Sequence, residues 1–282
     1  MNRKAIVIGG TSGIGKEVVH ILVREGWTVG VAGRREGLLR ELEEAHPGRV
    51  VAEVIDVTED DAENCLSLLI DKLGGMDLFL LSSGYGNQNR SLDREIEERT
   101  VQTNVMGFMV MVDAAFRWFR EHGCKGHIAA ITSVAGCKGL APSASYSATK
   151  RFQWTYLQAL SQLARSERLA ISFSDIRPGF VSTDFIHHDY PMQMRPDYVA
   201  EHIVRGLSRR LALQHSLPNL APDSRLPLGT YQGVTKRPLF KTLQVPNGGF
   251  CLAERRGFEP LIPFGSIQAF QACLFNHSST SP

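Results

Sequence analysis

A short apolar run that opens into a glycine-rich loop constrains the fold of this chain most. Residues 4–8 read KAIVI, and residues 9–15 read GGTSGIG. The run predicts a strand, and the residues after the loop predict a helix over 14–25. Such a unit aims free backbone N–H groups at a pyrophosphate, although the loop alone is equally consistent with a flexible turn. The candidate dinucleotide-binding residues here are Gly9, Thr11, Ser12, Gly13, Ile14 and Gly15.

Strands and helices are predicted in alternation over the first 210 residues. Apolar runs predict strands over 28–32, 50–55, 78–81, 128–131 and 170–176. Amphipathic patterns predict helices over 37–45, 59–73, 94–120, from 143 onward and over 197–210. With 282 residues, of which 43% are hydrophobic, the chain has material for one large α/β domain.

The second predicted strand leads into Gly33, Arg34 and Arg35. An acidic residue that would bind a ribose 2′-hydroxyl is missing from this position. Two guanidinium groups suit a 2′-phosphate instead, because they are planar and permanently charged. NADP(H) is therefore favoured over NAD(H). The alternative is a solvated start to the next helix, and it applies more to Arg35 than to Arg34.

Tyr146 and Lys150 lie four residues apart on the helix predicted from residue 143, so their side chains share one face. An ammonium about 4 Å from a phenolate is worth roughly 1 to 4 kcal/mol, which lowers the phenol pKa by about one to three units. Ser133 follows the strand over 128–131, so its hydroxyl emerges at the sheet edge where ligands bind. The alternative is that the serine caps a turn, the tyrosine packs and the lysine is solvated.

These motifs occur in one order with Asn104 in the sequence TNVMG and with RPGFVSTD over 177–184. In this combination the chain resembles the classical short-chain dehydrogenase/reductases over residues 4–210. The resemblance implies a doubly wound parallel sheet with helices on both faces, the Rossmann fold. The implied strand order is 3-2-1-4-5-6.

The resemblance also implies roles for four side chains. Tyr146 would donate a proton, and Ser133 would orient the substrate oxygen. Lys150 would lower the phenol pKa and hold the ribose of the cofactor. Asn104 would complete the relay by holding a water that links Lys150 to solvent. Asn104, Tyr146 and Lys150 thereby count as cofactor-binding residues as well.

Further cofactor contacts are implied at the ends of the other strands. In the family an aspartate like Asp56 meets the adenine, and the loop after the sixth strand meets the nicotinamide carboxamide. The residues implied are Asp56, Val57, Gly84, Pro178, Gly179, Val181 and Thr183. The chain departs from the family over residues 81–84, where LSSG stands in place of N-N-A-G and two bracing carboxamides are lost.

The expected reaction is reversible hydride transfer between NADP(H) and a small carbonyl or secondary alcohol substrate. The alternative is a non-catalytic dinucleotide-binding or assembly protein on the same fold. Family analogy implies a homodimer or homotetramer formed through the helices that hold Asn104 and Tyr146. Residues 185–194, which include His187 and His188, lie where relatives carry a substrate lid, and two adjacent histidines make a poor metal site.

Composition excludes several other classes of protein. The formal net charge is +2 with interspersed charges, so no strong field attracts nucleic acid or anionic lipid. No apolar run reaches the length of a membrane span, and the N-terminus carries no leader pattern. The five scattered cysteines argue against a disulfide framework or a zinc site and fit the reducing cytoplasm.

The resemblance stops near residue 210. Residues 211–282 hold eight of the 13 prolines and show no sustained periodicity, so the domain is expected over 1–210 with an irregular tail over 211–282. One interpretation is a disordered or family-specific tail, and the second is the product of a reading frame that slipped near Arg210. The sequence GFEP over 257–260 is the translation of a transfer-RNA arm sequence and favours the second interpretation. A mobile, protease-sensitive tail and a missing seventh strand are expected.

Overall fold

The computed structural model describes residues 3–183 and 193–208, and beyond them the backbone of three short strands. The chain divides into two compact units, Met1–Asn219 and Leu220–Pro282. Within the described residues, helices that combine the length and the apolar character of a membrane span are not found.

The first unit is a parallel sheet with helices packed on it, as the sequence predicts. Its strands are β1 (Lys4–Ile8), β2 (Thr28–Gly33), β3 (Val50–Val54), β4 (Leu78–Leu81), β5 (Gly126–Ile131), β6 (Ile171–Arg177) and β7 (His215–Ser216). Its helices are α1 (Gly13–Arg24), α2 (Glu36–Ala45), α3 (Ala62–Leu73), α4 (Arg94–Val101), α5 (Phe108–His122), α6 (Ala144–Ser166) and α7 (Pro196–Ser208).

The sheet order is β3-β2-β1-β4-β5-β6-β7, which confirms the Rossmann order of the first six strands and adds a seventh. The expectation of a missing seventh strand is therefore wrong. Ile176 pairs with His215, and Arg177 pairs with Ser216, both in parallel register. Two residues are too few to show a strand pattern in sequence, whereas the free backbone groups at the edge of β6 select them as partners.

The hydrophobic core lies on both faces of the sheet, because alternate residues of each strand point to opposite sides. In β1, Ile6 and Ile8 join a cluster with α3, α5 and α6. Ala5 and Val7 join a second cluster with α1, α2 and α7. Burial on both faces explains why the central strands read as continuous apolar runs.

The helix predicted over 94–120 is interrupted. Asp93 caps α4 by accepting hydrogen bonds from the backbone N–H groups of Glu95 and Ile96 at 2.9 and 3.3 Å. A π-helical segment, Gln102–Gly107, then separates α4 from α5. Such wide turns are found frequently at functional sites. This segment carries Asn104.

The described part of the second unit is an antiparallel pair of strands, β8 (Phe240–Gln244) and β9 (Phe250–Glu254), with Phe240 opposite Glu254. The sequence shows no strand pattern there, so the expectation of a wholly irregular tail is corrected for these residues. The other expectations for 211–282, and the lid expected around His187 and His188, lie outside the described residues.

Candidate active site

The predicted site residues lie beyond the carboxyl ends of the parallel strands, where ligands bind in open α/β sheets. The loop after β1 carries Gly9, Thr11 and Ser12, with Gly13, Ile14 and Gly15 opening α1. Arg34 and Arg35 follow β2, Asp56 and Val57 follow β3, Gly84 follows β4, and Ser133 follows β5. Pro178, Gly179, Val181 and Thr183 follow β6, whereas α6 supplies Tyr146 and Lys150.

The glycine-rich loop is packed too closely for side chains. Gly9 has a φ of +85°, and a Cβ built on it would lie 2.6 Å from the backbone nitrogen of Ser83. A Cβ on Gly15 would lie 2.2 Å from the carbonyl oxygen of Gly9. One on Gly13 would lie 3.0 Å from Cγ2 of Thr183, so the loops after β1 and β6 meet. Glycine is therefore required for the tight turn that leads from β1 into the N-terminus of α1, where backbone N–H groups can bind a pyrophosphate.

Both arginines after β2 contact this cofactor-binding edge. Arg35 Nη2 donates hydrogen bonds to the hydroxyls of Thr11 and Ser12 at 3.0 and 2.6 Å. Arg34 Nη1 lies 3.8 Å from Oδ2 of Asp56, and its side chain is 62% exposed. Arg35 is therefore held against the glycine-rich loop and is not a merely solvated start to α2. Arg34 and Arg35 are both exposed residues.

Ser133 and Tyr146 are joined by a side-chain hydrogen bond. Ser133 is in extended conformation and also caps a short 3₁₀ turn, Val134–Cys137, by accepting from the backbone N–H of Ala135 at 3.1 Å. The capping interpretation of Ser133 and the catalytic one are thus compatible. Lys150 Nζ lies 5.6 Å from the centre of the Tyr146 ring.

Burial raises the pKa of Tyr146 to about 12, and the hydrogen bond with Ser133 acts in the opposite direction. The expected lowering of this pKa by Lys150 is not found. The physical reason is burial, which outweighs the effect of an ammonium 5.6 Å from the ring centre. The ammonium itself donates to the carbonyl of Ile131 at 3.3 Å and to Oε1 of Gln153 at 3.1 Å. Burial lowers the pKa of Lys150 to about 8, whereas the charge of Asp175 raises it.

Asn104 is fully buried, and its side chain is hydrogen-bonded within the protein. Oδ1 accepts from the backbone N–H of Tyr85 at 2.9 Å, and Nδ2 donates to the carbonyl of Tyr85 at 2.6 Å. Nδ2 also lies 3.1 Å from the hydroxyl of Thr149. The main-chain carbonyl of Asn104 accepts from Nε2 of Gln153 at 3.0 Å. The carboxamide of Gln153 thus connects the main-chain carbonyl of Asn104 with the ammonium of Lys150.

Gln153 was missed at the level of sequence, although a signal existed. It lies three residues after Lys150 on α6, a spacing at which helical side chains meet. A glutamine in a helix with apolar neighbours reads as an ordinary helix former, so the signal is weak.

A buried ion pair next to the site was missed as well. Arg177 Nε donates to Oδ2 of Asp175 at 2.6 Å, and its guanidinium stacks 3.9 Å from the ring centre of Trp154. The hydroxyl of Thr132 donates to the other oxygen of Asp175. These contacts keep a negative charge buried near Lys150, which favours its charged form.

The loop after β4 forms one wall around the phenol. A Cβ built on Gly86 would lie 2.3 Å from Cδ2 of Tyr146, so the backbone of this loop touches the ring. In the same loop, the ring centre of Tyr85 lies 4.5 Å from the guanidinium carbon of Arg99. A Cβ on Gly84 would lie 3.5 Å from Nζ of Lys150, an ordinary contact distance, so this loop lies beside the ammonium.

Comparison with known proteins identifies relatives of this chain. The model of a family described as short chain dehydrogenase matches residues 3–193. An uncharacterized oxidoreductase of Myxococcus xanthus is 33% identical over 197 residues, which are 67% of this chain and 77% of that protein. An uncharacterized oxidoreductase of Staphylococcus aureus is 28% identical over 213 residues, which are 73% of this chain and 90% of that protein.

Two further similarities support narrower conclusions, one because it covers little of the relative and one because its sequence identity is low. A glycine betaine reductase of Emericella nidulans is 32% identical over 188 residues, but these are 15% of that longer protein. The crystal structure of a variant actinorhodin polyketide ketoreductase with NADPH superposes with a TM-score of 0.64 at 24% identity. That similarity covers 72% of this chain and 89% of the other, and it supports the fold.

Proposed function

The chain belongs to the short chain dehydrogenase family and is a nicotinamide-dependent oxidoreductase of carbonyl or alcohol groups, and from that premise we propose that it uses NADP(H) with a small carbonyl or secondary alcohol. The observation that carries the proposal is the hydrogen bond between Ser133 and Tyr146 with Lys150 on the next helical turn. The alternative of a non-catalytic assembly protein gains no support from these oxidoreductase relatives.

The residues of the glycine-rich loop and of the strand ends fit a dinucleotide. Gly9 and Gly15 let the loop pack closely on the neighbouring backbone, and α1 begins there with its N-terminal backbone N–H groups. Arg34 and Arg35 supply positive charge beside this loop. Two guanidinium groups favour the 2′-phosphate of NADP(H) over the free hydroxyl of NAD(H). When bound, the nicotinamide supplies the hydride chemistry.

The protein's own part is to position the substrate and to move a proton. We assign the proton donor in the reduction to the hydroxyl of Tyr146, whose raised pKa keeps it protonated at neutral pH. The hydroxyl of Ser133 is within hydrogen-bonding reach of that phenol and would orient the substrate oxygen. The ammonium of Lys150 stabilises negative charge that develops on the phenol as the proton leaves.

An absorbance assay for NADPH oxidation across a panel of small aldehydes and ketones tests the proposal. We expect wild-type protein to oxidise NADPH with at least one carbonyl, and faster than it oxidises NADH with the same compound. Reactions without carbonyl, and reactions with the Tyr146→Phe variant, provide the controls. Activity that persists at the wild-type level in Tyr146→Phe would contradict the assignment.

For the oligomeric state we propose a homodimer or homotetramer formed through the helices that hold Asn104 and Tyr146. Large apolar side chains on these helices support it, because Val101, Met106 and Leu163 are 43%, 45% and 39% exposed. Sedimentation velocity at several protein concentrations measures the state, and a monomer throughout would contradict the proposal. For the cellular location we propose the cytoplasm, because five scattered cysteines suit a reducing compartment.

A further inference from the structure

Gln153 uses both ends of its carboxamide inside the protein. Its side chain lies in α6 at 1% exposure. Oε1 accepts from Lys150 Nζ at 3.1 Å, and Nε2 donates to the main-chain carbonyl of Asn104 at 3.0 Å. An ammonium only donates and a carbonyl only accepts, so these two partners determine which way the amide faces.

We propose that Gln153 is a positioning residue that ties the Lys150 ammonium to the main chain of the π-helical segment and keeps it charged beside Tyr146. The proposal rests on the function proposed above for Tyr146 and Lys150. It adds to the expected relay a side chain that connects the ammonium of Lys150 with the main-chain carbonyl of Asn104.

The first argument is the arrangement of Lys150 between two elements. Its ammonium donates to Ile131 at the end of β5 and to Gln153, which in turn reaches Asn104. The side chain of Asn104 is already bound to Tyr85 and Thr149. The link therefore ends on a rigid, buried group, and a rigid support keeps a catalytic charge in a productive position.

The second argument is electrostatic. A buried ammonium loses its hydration, and hydrogen-bond acceptors must compensate for that loss. Among the described residues, the titratable groups that act on Lys150 are Tyr146 on its own helix and Asp175 on β6. Asp175 is already engaged with Arg177 and Thr132. The oxygen of Gln153 is thus a dipole that favours the charged form of Lys150 independently of Asp175.

The simpler interpretation is that Gln153 is a buried glutamine whose hydrogen bonds only satisfy its own polar atoms. The two interpretations differ in what they predict for the proton affinity of Lys150. A space-filling role predicts that this affinity stays constant when the carboxamide is replaced. A positioning role predicts that the proton affinity of Lys150 falls when the acceptor oxygen is removed.

The decisive experiment is a titration of Lys150 by NMR, through the Cε resonance of 13C-lysine-labelled protein with Lys150→Arg for assignment. In Gln153→Met, which keeps the length of the side chain, we expect the Lys150 pKa to fall by about one unit. In Gln153→Glu we expect it to rise, because a carboxylate replaces a dipole. Gln162→Met, an exposed position of the same helix, should leave it unchanged.

Equal pKa values of Lys150 in wild type and Gln153→Met would overturn the proposal. If Gln153→Met does not fold, Gln153→Leu takes its place, because it also removes the acceptor oxygen. Thermal unfolding of each variant identifies that case.

This titration needs no turnover, so its result is separate from that of the NADPH assay. If no carbonyl is reduced by wild type, the proposed function fails while the NMR result still decides the role of Gln153 as a support of Lys150. If wild type is active, the alkaline limb of kcat should move by the same amount and in the same direction as the Lys150 pKa. The KM for the carbonyl should change less than kcat, and the opposite split would contradict a positioning role.

Discussion

Asn104 and Tyr85 are joined by two antiparallel hydrogen bonds, with the carboxamide of Asn104 bonded to both the N–H and the carbonyl of Tyr85 at 2.9 and 2.6 Å. This pair braces the loop after β4. The family's N-N-A-G carboxamides are lost from that loop, and Ile8 supports it from the other side by accepting from Ser82 and Ser83. A side chain outside the loop thus takes over part of the bracing.

Replacing Asn104 with Asp should destabilise the protein by about 2 to 4 kcal/mol, because the carboxylate cannot donate to Tyr85 or Thr149 and is buried without water. Chemical denaturation measures the free energy of unfolding. Asn64→Asp, on the exposed side of α3, is the matched control and should stay within about 0.5 kcal/mol of wild type. Equal stability of both variants would show that the pair with Tyr85 contributes little.

Tyr146→Phe should reduce kcat by about 100-fold or more while NADPH affinity stays within a few-fold, because the ring still packs but cannot transfer a proton. Steady-state kinetics and fluorescence titration of NADPH measure the two quantities. Tyr156→Phe is the control, since it removes the same hydroxyl from α6 at a position where the phenol bonds to Asp113. Its turnover per folded molecule should match wild type.

Arg34→Ala should weaken NADPH binding by about 1.5 to 3 kcal/mol and NADH binding much less, because a charge-assisted contact with phosphate is lost. Arg35→Ala should also weaken NADPH binding, since it removes the guanidinium held at Thr11 and Ser12. Arg40→Ala, on the exposed face of α2, should bind both cofactors as wild type does. Equal weakening of NADPH and NADH by Arg34→Ala would refute its role at the 2′-phosphate.

Gly86→Ala should lower kcat by displacing the ring of the proposed proton donor, because the added Cβ would lie 2.3 Å from Tyr146. Cofactor affinity should change little, since the glycine-rich loop is untouched. Gly37→Ala is the control, because a Cβ there meets open space among the described residues. A Gly86→Ala enzyme with normal kcat would mean that the loop after β4 moves to accommodate the added methyl group without displacing the ring.

Turnover in the direction of carbonyl reduction should decline as pH rises through about 8, the pKa to which burial lowers Lys150. Above that pH the lysine loses the charge that supports Tyr146, whose own pKa of about 12 keeps the phenol protonated. A kcat profile against pH measures this limb. A flat profile between roughly two units below and two above that pKa would contradict the role of the Lys150 charge.

The same lysine affects stability with a definite sign. Its pKa is about 8 when folded, against an ordinary value of 10.5, so the unfolded chain binds more protons between these two pH values. The contribution of Lys150 to the free energy of unfolding therefore increases as pH rises from about 8 to 10.5. Chemical denaturation of wild type and Lys150→Met across this pH range measures the contribution of Lys150 to the free energy of unfolding.

Much of the fold could be predicted because its signals are local. Apolar runs at β1, β4 and β5 and the glycines after β1 indicate a parallel sheet with a dinucleotide loop, and the structure has that sheet. The two-residue strand β7 could not be predicted, because its pairing depends on the free edge of β6 rather than on its own residues. The π-helical segment at Asn104 could likewise not be predicted, because its residues suit an ordinary α-helix.

The order of residues establishes which chemical groups are available: a phenol, an ammonium and a hydroxyl at the carboxyl edge of a sheet, with two guanidinium groups after β2. Tertiary structure alone decided which of them touch. It brought Gln153 between Lys150 and Asn104 and aimed the ammonium at those acceptors. The physical reason is that burial removes water from Lys150 and Tyr146, so their proton affinities depend on neighbours contributed by β5, β6 and the π-helical segment, which no spacing within α6 encodes.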